Sequence, residues 1–435
     1  MCFLFTTMKK LFIGFLLCLP VFLQAQNSAI QNALKNFDYE QAIKLISKEK
    51  RTPELDLLKA KCYKNIAQYD DAINILEALV KADLEHISAV NELAECYLLS
   101  GNFGKAKLYY FMMLQSVPNN RFARLNYLNT LFKLKDWKQT VSECKSILQK
   151  DSIVVLYPML GDCYSQLSKI DSAVYYYKKG INANPEDYNS LSKLSKLYLQ
   201  KEDYSALIKS TDKYIQRDSS NQQINQYNGI GNCLANNHEK AIYRLGKLAQ
   251  QGDSSFLTNF YLGACYLAEE DYPSAYKSLK TAYKADSTNT KICLYLGKSA
   301  IKCEEYQKGI KILNRGLNMI IPSDSTLFNY YFYLVDGYRE TENGTEELKY
   351  LQLAYKSNPN FRVALYKIAS VYDWRLKNKT EALNYYRQFM LTLPKKKSGD
   401  TDTSEYTATY YNVAEMRIKE LLTEMKMANK KTNPN

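Results

Sequence analysis

The apolar positions of this chain recur in long, evenly spaced blocks. Three stretches show the pattern: Leu160-Gly161-Asp162-Cys163-Tyr164, Leu262-Gly263-Ala264-Cys265-Tyr266 and the looser Leu93-Ala94-Glu95-Cys96-Tyr97. Nine residues after each tyrosine stands an alanine (Ala173, Ala275 or Ala106), and in two blocks a proline, Pro185 or Pro118, lies twelve further on. Threading this frame through the chain gives ten units, beginning near Pro53, Ile87, Arg121, Val154, Tyr188, Gln222, Phe256, Thr290, Phe328 and Arg362. The spacing is 34 residues almost throughout. One unit is a residue short, four residues intervene before Phe328, and the last unit carries one extra residue in the turn between its helices. The apolar places predict two helices per unit, with a face that only the neighbouring units can bury.

Each repeated place has a packing reason. Small residues stand where two helices must approach closely: Ala60, Ala94, Gly161, Gly229, Gly263, Gly297 and Ala369 on first helices, and Ala72, Ala106, Ala173, Ala241, Ala275 and Ala382 on second helices. Tyr63, Tyr97, Tyr164, Tyr198, Tyr266, Tyr338 and Tyr372 share one first-helix place, where a ring fills space and its hydroxyl is directed outward. Tyr69, Tyr204, Tyr272 and Tyr306 open second helices. With Tyr110, Tyr177 and Tyr386, these places absorb 14 of an unusual 38 tyrosines, so the excess reads as packing.

Leu-Gly-x-x-Tyr, then Ala, then an aromatic or Leu, then Pro, over 34 residues, resembles the tetratricopeptide repeat, and the resemblance covers about 340 of 435 residues. It implies an all-α, right-handed superhelical solenoid whose first helices line a concave groove for a peptide or a partner protein. The groove-facing places of such a repeat fall on Asn91, Glu95, Asn129, Asp162 and Lys196 in the amino-terminal half, and on Phe260, Lys298, Phe332, Asp336 and Tyr366 further on. The first group is polar; the second mixes aromatics with charge, as interface hot spots often do. A groove-facing ring such as Phe332 is expected to support no contact between units. The Lys/Asn/Lys/Arg clamp with which some family members hold the carboxyl terminus of a chaperone is not recognisable. An assembly subunit using the convex face and the ends, and a glycan binder using groove aromatics, are the alternatives to a peptide-binding scaffold.

An array of this kind needs closed ends. Residues 27–52 read as a degenerate first hairpin, with Ala42 and Ile46 on its second helix. The ten repeats then occupy 53–396, and 397–404 form a polar linker. Asp402 stands three before Glu405 like a capping box. A capping helix follows over 405–428, carrying Tyr406, Tyr410, Val413, Leu421 and Met425, with Ala428 to Asn435 frayed.

Composition supports helix: 16 glycines and 10 prolines make about 6% of the chain, half the usual share of about 12%. At the amino terminus Lys9 and Lys10 precede an apolar run from Leu11 to Leu23 and then Gln24-Ala25-Gln26. This predicts a signal peptide over 1–25, cleaved after Ala25, and an exported chain, periplasmic or secreted. Met8 makes a more typical start than Met1, and Leu17 before Cys18 argues against lipidation. The run is too short to span a bilayer, which takes about 20 residues. Removing the leader lowers the net charge from +13 to +11, scattered along the chain apart from Lys395-Lys396-Lys397. Scattered charge suits a solvated surface, and export disfavours nucleic acid as a partner.

Nothing in the sequence is arranged for catalysis, a metal or a cofactor. The two histidines, His86 and His238, stand in separate units near predicted turns, and HExxH, GxSxG and GxGxxG are absent. Gly101-Asn102-Phe103-Gly104-Lys105 lacks phosphate-loop spacing and falls in a turn between helices. Cys62, Cys96, Cys163 and Cys265 hold one repeated place, where a small apolar residue belongs. Equivalent places in adjacent units lie about 10 Å apart, beyond disulfide reach of about 7 Å. Cys144 and Cys163 flank a turn symmetrically and read either as a bridge or as two buried thiols.

Overall fold

The computed structural model describes residues 28–320, 326–392 and 405–432. The predicted leader, the linker over 397–404 and Asp402 of the capping box lie outside these residues. Every regular element among the described residues is helical. The chain divides into two compact bodies, Met1–Ser190 and Leu191–Asn435.

In the first body α1 (residues 28–35) and α2 (Tyr39–Ile46) form the leading hairpin, burying Ile30, Ala33, Ala42 and Ile46 against Cys62. Four hairpins follow: α3 (Pro53–Asn65) with α4 (Tyr69–Ala82), α5 (Ile87–Leu99) with α6 (Phe103–Ser116), α7 (Arg121–Lys133) with α8 (Trp137–Leu148), and α9 (Leu156–Gln166) with α10 (Ile170–Ala183). Helix α11 (Tyr188–Gln200) spans the division between the bodies.

The second body continues with α12 (Tyr204–Ile215), then the hairpins α13 (Gln222–Leu234) with α14 (His238–Gln250), α15 (Phe256–Ala268) with α16 (Tyr272–Ala285), and α17 (Thr290–Lys302) with α18 (Tyr306–Met319). Next come α19 (Leu327–Glu340) with α20 (Gly344–Ser357), and α21 (Val363–Ser370) with α22 (Lys379–Leu391). A long helix, α23 (Glu405–Thr432), ends the described chain. Within each body the architecture is an all-α repeat solenoid, each first helix packing on its own second helix and on the next unit.

One backbone device makes the corner of the hairpins. Ala67, Lys135, Ser168, Glu202, Asn236, Glu270, Glu304 and Glu342 adopt left-handed backbone, with φ between 56° and 64°. The amide of the next residue then bonds back to the carbonyl five before it, as Asp271 N–H does to Tyr266 at 2.9 Å. That closes the first helix in a Schellman-type cap. At four of these corners the side chain of this next residue also starts the second helix, whereas Asn237 makes no such bond. Asp136, Asp203, Asp271 and Asn343 each accept from the amide three residues on.

The small places are buried as close approach requires. A Cβ on Gly263 would lie 2.5 Å from Leu279 Cγ, and one on Gly161 would lie 2.6 Å from the Tyr177 ring. The first-helix tyrosines do more than fill space. Tyr97 stacks on Tyr109, Tyr164 on Tyr176 and Tyr338 on Tyr350, with ring centroids 5.4–5.7 Å apart and interplanar angles of 5–9°. Each partner sits twelve residues later on the second helix, so six of the 38 tyrosines form ring pairs that clip three hairpins shut. A lysine lies against three of these pairs: Lys105 over Tyr97, Lys145 over Tyr164 and Lys349 over Tyr350.

Two details differ from the spacing. The extra residue of the last unit does not lengthen the turn; it is absorbed at the end of the first helix as a π-helical turn, Val371–Arg375, closed by Leu376 N–H on the Val371 carbonyl. The terminal helix continues to Thr432 instead of fraying from Ala428, and its inner face carries Ala414, Ile418, Leu421 and Met425, while Val413 is exposed.

Candidate functional site

Two groove places of the first body, Glu95 and Asp162, are engaged within the solenoid. Glu95 and its neighbour Glu92 on α5 both accept from the Lys64 ammonium on α3, at 2.7 and 2.6 Å. Burial would lower the Lys64 pKa, but these bonds outweigh it and hold it raised. Asp162 accepts from the Tyr177 hydroxyl at 2.5 Å. Asn91 and Asn129 are half-buried, and the Asn91 side-chain oxygen is buried without a hydrogen-bond partner. Lys196 is exposed.

The second body brings its candidates together. Phe260 on α15 stacks on Phe256 and, across to α17, on Tyr295 at 5.5 Å and 4°. Lys298, one helical turn along α17, places its ammonium 5.4 Å from the centre of the Tyr333 ring on α19. Phe332 packs edge-on against Phe361, ahead of α21, and Lys367 lies over both rings. Tyr366 meets Tyr410 of α23 at 4.7 Å. The first helices α15, α17, α19 and α21 thus share one row of half-buried rings and ammonium groups that ends on the terminal helix.

These contacts revise the expected roles. Phe260 is only 9% exposed and is mostly committed to its neighbours, so its edge alone faces outward. Phe332 does support contact between units, because Phe361 and Lys367 belong to the next one. Asp336 pairs with Arg339 at 3.2 Å, and Arg339 also binds the buried Glu347 at 3.0 Å. A cavity of about 410 Å³ opens beside Tyr366, bounded by Lys367, Trp374, Arg375 and Tyr410.

Sequence reasoning missed the anchor of this end of the row. Asp373 within the π-turn is buried and receives two bonds from Arg417 of α23, at 2.6 and 2.9 Å. The guanidinium also lies 4.6 Å from the exposed Trp374 ring. The unmatched residue in the last unit was the available signal. Cys144 and Cys163 are both free buried thiols. Cys233 on α13, at a place not equivalent to that of Cys265, donates its thiol to the Tyr261 carbonyl of α15 at 3.5 Å. His86 caps α5 by accepting from Ala89 N–H, and His238 pairs with Glu269 of the next unit at 2.8 Å. Among the described residues there is no group of His, Cys, Asp and Glu able to hold a metal, and no helix long and apolar enough to cross a membrane.

Comparison with known proteins bears on the repeat itself. Tetratricopeptide repeat models match residues 57–120, 156–187 and 363–395, and a model described as anaphase-promoting complex, cyclosome, subunit 3 matches 235–316. The BBSome complex member BBS4 of Bos taurus is 22% identical over 239 residues, which are 54% of this chain and 46% of the relative. The chain therefore spans about half the length of that curated relative. Among solved structures, the Cut9–Hcn1 hetero-tetramer of the APC/C matches 89% of this chain and 90% of its own at 15% identity, with a TM-score of 0.40. A tetratricopeptide repeat protein from Parabacteroides merdae matches 58% of this chain and 98% of its own at 12% identity, with a TM-score of 0.39. YrrB, described as having an unusual peptide-binding site, matches 44% of this chain and 96% of its own at 17% identity, with a TM-score of 0.39. With its helical hairpins in one repeating frame, and with repeat models matching separate stretches of it, the chain is a tetratricopeptide repeat protein.

Proposed function

We propose that the chain is a non-catalytic scaffold that holds an extended segment of a partner protein against the first helices of its second body. The carrying observation is the row from Phe256 and Phe260 through Tyr295, Lys298 and Tyr333 to Phe332, Phe361 and Lys367. Its rings are already held by one another, so a partner gains contact area without ordering them first. The lysines favour a segment that brings carboxylates beside its apolar side chains. The polar row of the first body, satisfied internally at Glu95 and Asp162, is the weaker surface.

The setting belongs to the same proposal: an exported mature chain beyond the inner membrane of a bacterium, a reading that the leader-like stretch ending at Ala25 supports. Amino-terminal mass spectrometry of the native protein tests this, since a chain that begins at Met1 or Met8 overturns it. The binding row is tested by photo-crosslinking in the native host, with the photoreactive residue at Phe256 in the row or at Phe328, which packs on Phe332 and Phe361, or at Leu108 or Tyr243 elsewhere. The expected result is one partner captured from the first two positions and absent from the others. Capture from Leu108 or Tyr243 alone overturns the assignment.

A further inference from the structure

Stacked tyrosine pairs close three hairpins on one side, and the hairpin α13–α14 has no ring at either of these places. At the place of Tyr97, Tyr164 and Tyr338 it has Asn232, and twelve residues on, in place of the second ring, it has Arg244. Both rings are missing, and a cavity of about 430 Å³ stands there. In the next hairpin only the second ring is missing, where Ser278 stands opposite Tyr266, and that cavity is about 370 Å³. Both volumes fall within the range of roughly 300–1,000 Å³ usual for small-ligand sites.

The lining of the α13–α14 cavity is polar and built. Asn228 and Asn232 are 1% and 2% exposed. Asn228 donates to Thr211 at 2.9 Å and to Asp212 at 2.8 Å, and Asn232 donates to the Asn228 side chain at 3.1 Å. A chain of buried amides fixes the floor, and this is costly to bury unless every member is satisfied. Two carboxylates, Asp212 and Glu239, and two cations, Lys240 and Arg244, surround it, so the formal charge of the lining is zero. At the mouth the Tyr243 ring is 64% exposed, with the Arg244 guanidinium 5.6 Å from its centre.

We propose that this cavity is a saccharide site, distinct from the first-helix row and independent of it. Balanced charge disfavours an anion or a cation. Closely interleaved carboxylates and cations suit a neutral ligand whose groups donate and accept at once, which is the chemistry of sugar hydroxyls. The Tyr243 ring supplies a flat apolar platform for the C–H face of a pyranose. Asp212 and Glu239 accept from ring hydroxyls while Arg244 and Lys240 donate to them. The buried amides keep Asp212 in place, so little ordering is required on binding.

The test is saturation-transfer NMR on the full mature chain, with the methyl glycosides of glucose, galactose and mannose, with N,N′-diacetylchitobiose, and with N-acetyltyrosinamide as the peptide-like probe. The expected result is transfer to the ring protons of at least one sugar at about millimolar concentration. The double variant Asn232→Tyr with Arg244→Tyr rebuilds the ring pair and should abolish that signal while circular dichroism stays helical. Tyr243→Ala, at an exposed position that cannot unfold the core, should weaken binding about tenfold, the cost of losing one aromatic platform. Absence of transfer to every sugar, transfer to N-acetyltyrosinamide alone, or sugar signals unchanged in Tyr243→Ala would each overturn the proposal.

Discussion

Arg417 on the terminal helix donates two hydrogen bonds, of 2.6 and 2.9 Å, to Asp373, a carboxylate 4% exposed inside the π-turn of the last repeat. The same guanidinium reaches Glu420 and Glu424 on its own helix at 2.8 and 3.0 Å. The apolar face of α23 is thereby fixed over Tyr386 and Phe389. Removing one partner of a buried ion pair leaves the other charge stranded, which costs about 3–5 kcal/mol. Arg417→Ala should therefore raise hydrogen exchange across 405–432 and in α22. Replacing both residues, Asp373→Leu with Arg417→Leu, should cost much less. Equal damage from the single and the double change would show that the pair does not hold the helix.

Two glycines should respond in opposite directions to the same substitution. At Gly263 a Cβ would meet Leu279 at 2.5 Å, so Gly263→Ala should destabilise by about 1–3 kcal/mol through overpacking. At Gly246, in the interior of α14, a Cβ would meet nothing within 4 Å, so Gly246→Ala should stabilise by about 0.5–1 kcal/mol. Since units couple mainly to their neighbours, exchange in Gly263→Ala should rise around residues 256–289 and little in the first body. Thermal melts and exchange maps of the two variants decide both points.

The buried thiols make stability sensitive to alkali. Burial pushes Cys62 up to about 11, and Cys96, Cys144 and Cys163 up to about 12. A raised folded-state value means that above the ordinary thiol range of about 8.5 the unfolded chain has already lost protons the folded chain retains. Stability from these groups is thus complete below about pH 8.5 and declines as pH rises toward 11–12. The melting temperature should fall over that window, and less so when Cys96 and Cys163 are replaced by alanine. At pH 8 these thiols should react with a disulfide reagent only as fast as the chain opens; immediate reaction of Cys62, Cys96, Cys144 and Cys163 would contradict their burial.

The matched aromatic pair separates binding from folding. Tyr266 packs against two core clusters, so Tyr266→Ala should lower stability by about 3–5 kcal/mol, with Phe→Ala losses as the guide. Phe332 is half-buried and touches Phe361 and Lys367 of the following unit, so Phe332→Ala should weaken partner binding by about 2 kcal/mol and also loosen α21. Lys298→Ala, which removes only a cation from over Tyr333, should weaken binding without that loosening. Unchanged affinity in both variants, measured by titration with the captured partner, removes the row from the interface.

Much of the fold was legible because small and apolar places recur at a fixed interval, and helix starts at Pro53, Ile87, Arg121, Gln222, Phe256 and Thr290 coincide with that interval. The spacing could not place the π-turn, since an inserted residue looks the same whether a loop or a helix end absorbs it. Nor could it reveal Asp373 with Arg417, 44 residues apart and outside the repeat frame. Which groove residues were free was hidden for another reason. Glu95 and Phe260 occupy outward places by counting, yet Lys64 and Tyr295 from adjacent units claim them, and such partners follow from side-chain reach. The missing ring pair at Asn232 and Arg244 was present in the sequence, but its meaning depended on seeing Tyr97 stacked on Tyr109.

The left-handed corners leave the molecule with headroom. Among the described residues, the corners inside hairpins use glycine only at Gly101; the others hold phenylalanine, alanine, lysine, serine, asparagine or glutamate there. A side chain in that conformation costs roughly 1–2 kcal/mol, against about 0.5–1 kcal/mol for the extra freedom a glycine brings to the unfolded chain. Each such corner is therefore a separate dial, and glycine at Glu270 or Ala67 turns it toward greater stability without touching a core side chain. Because the strain is spread over many corners, no single hairpin is the weak link, and an engineer can tighten the array one unit at a time.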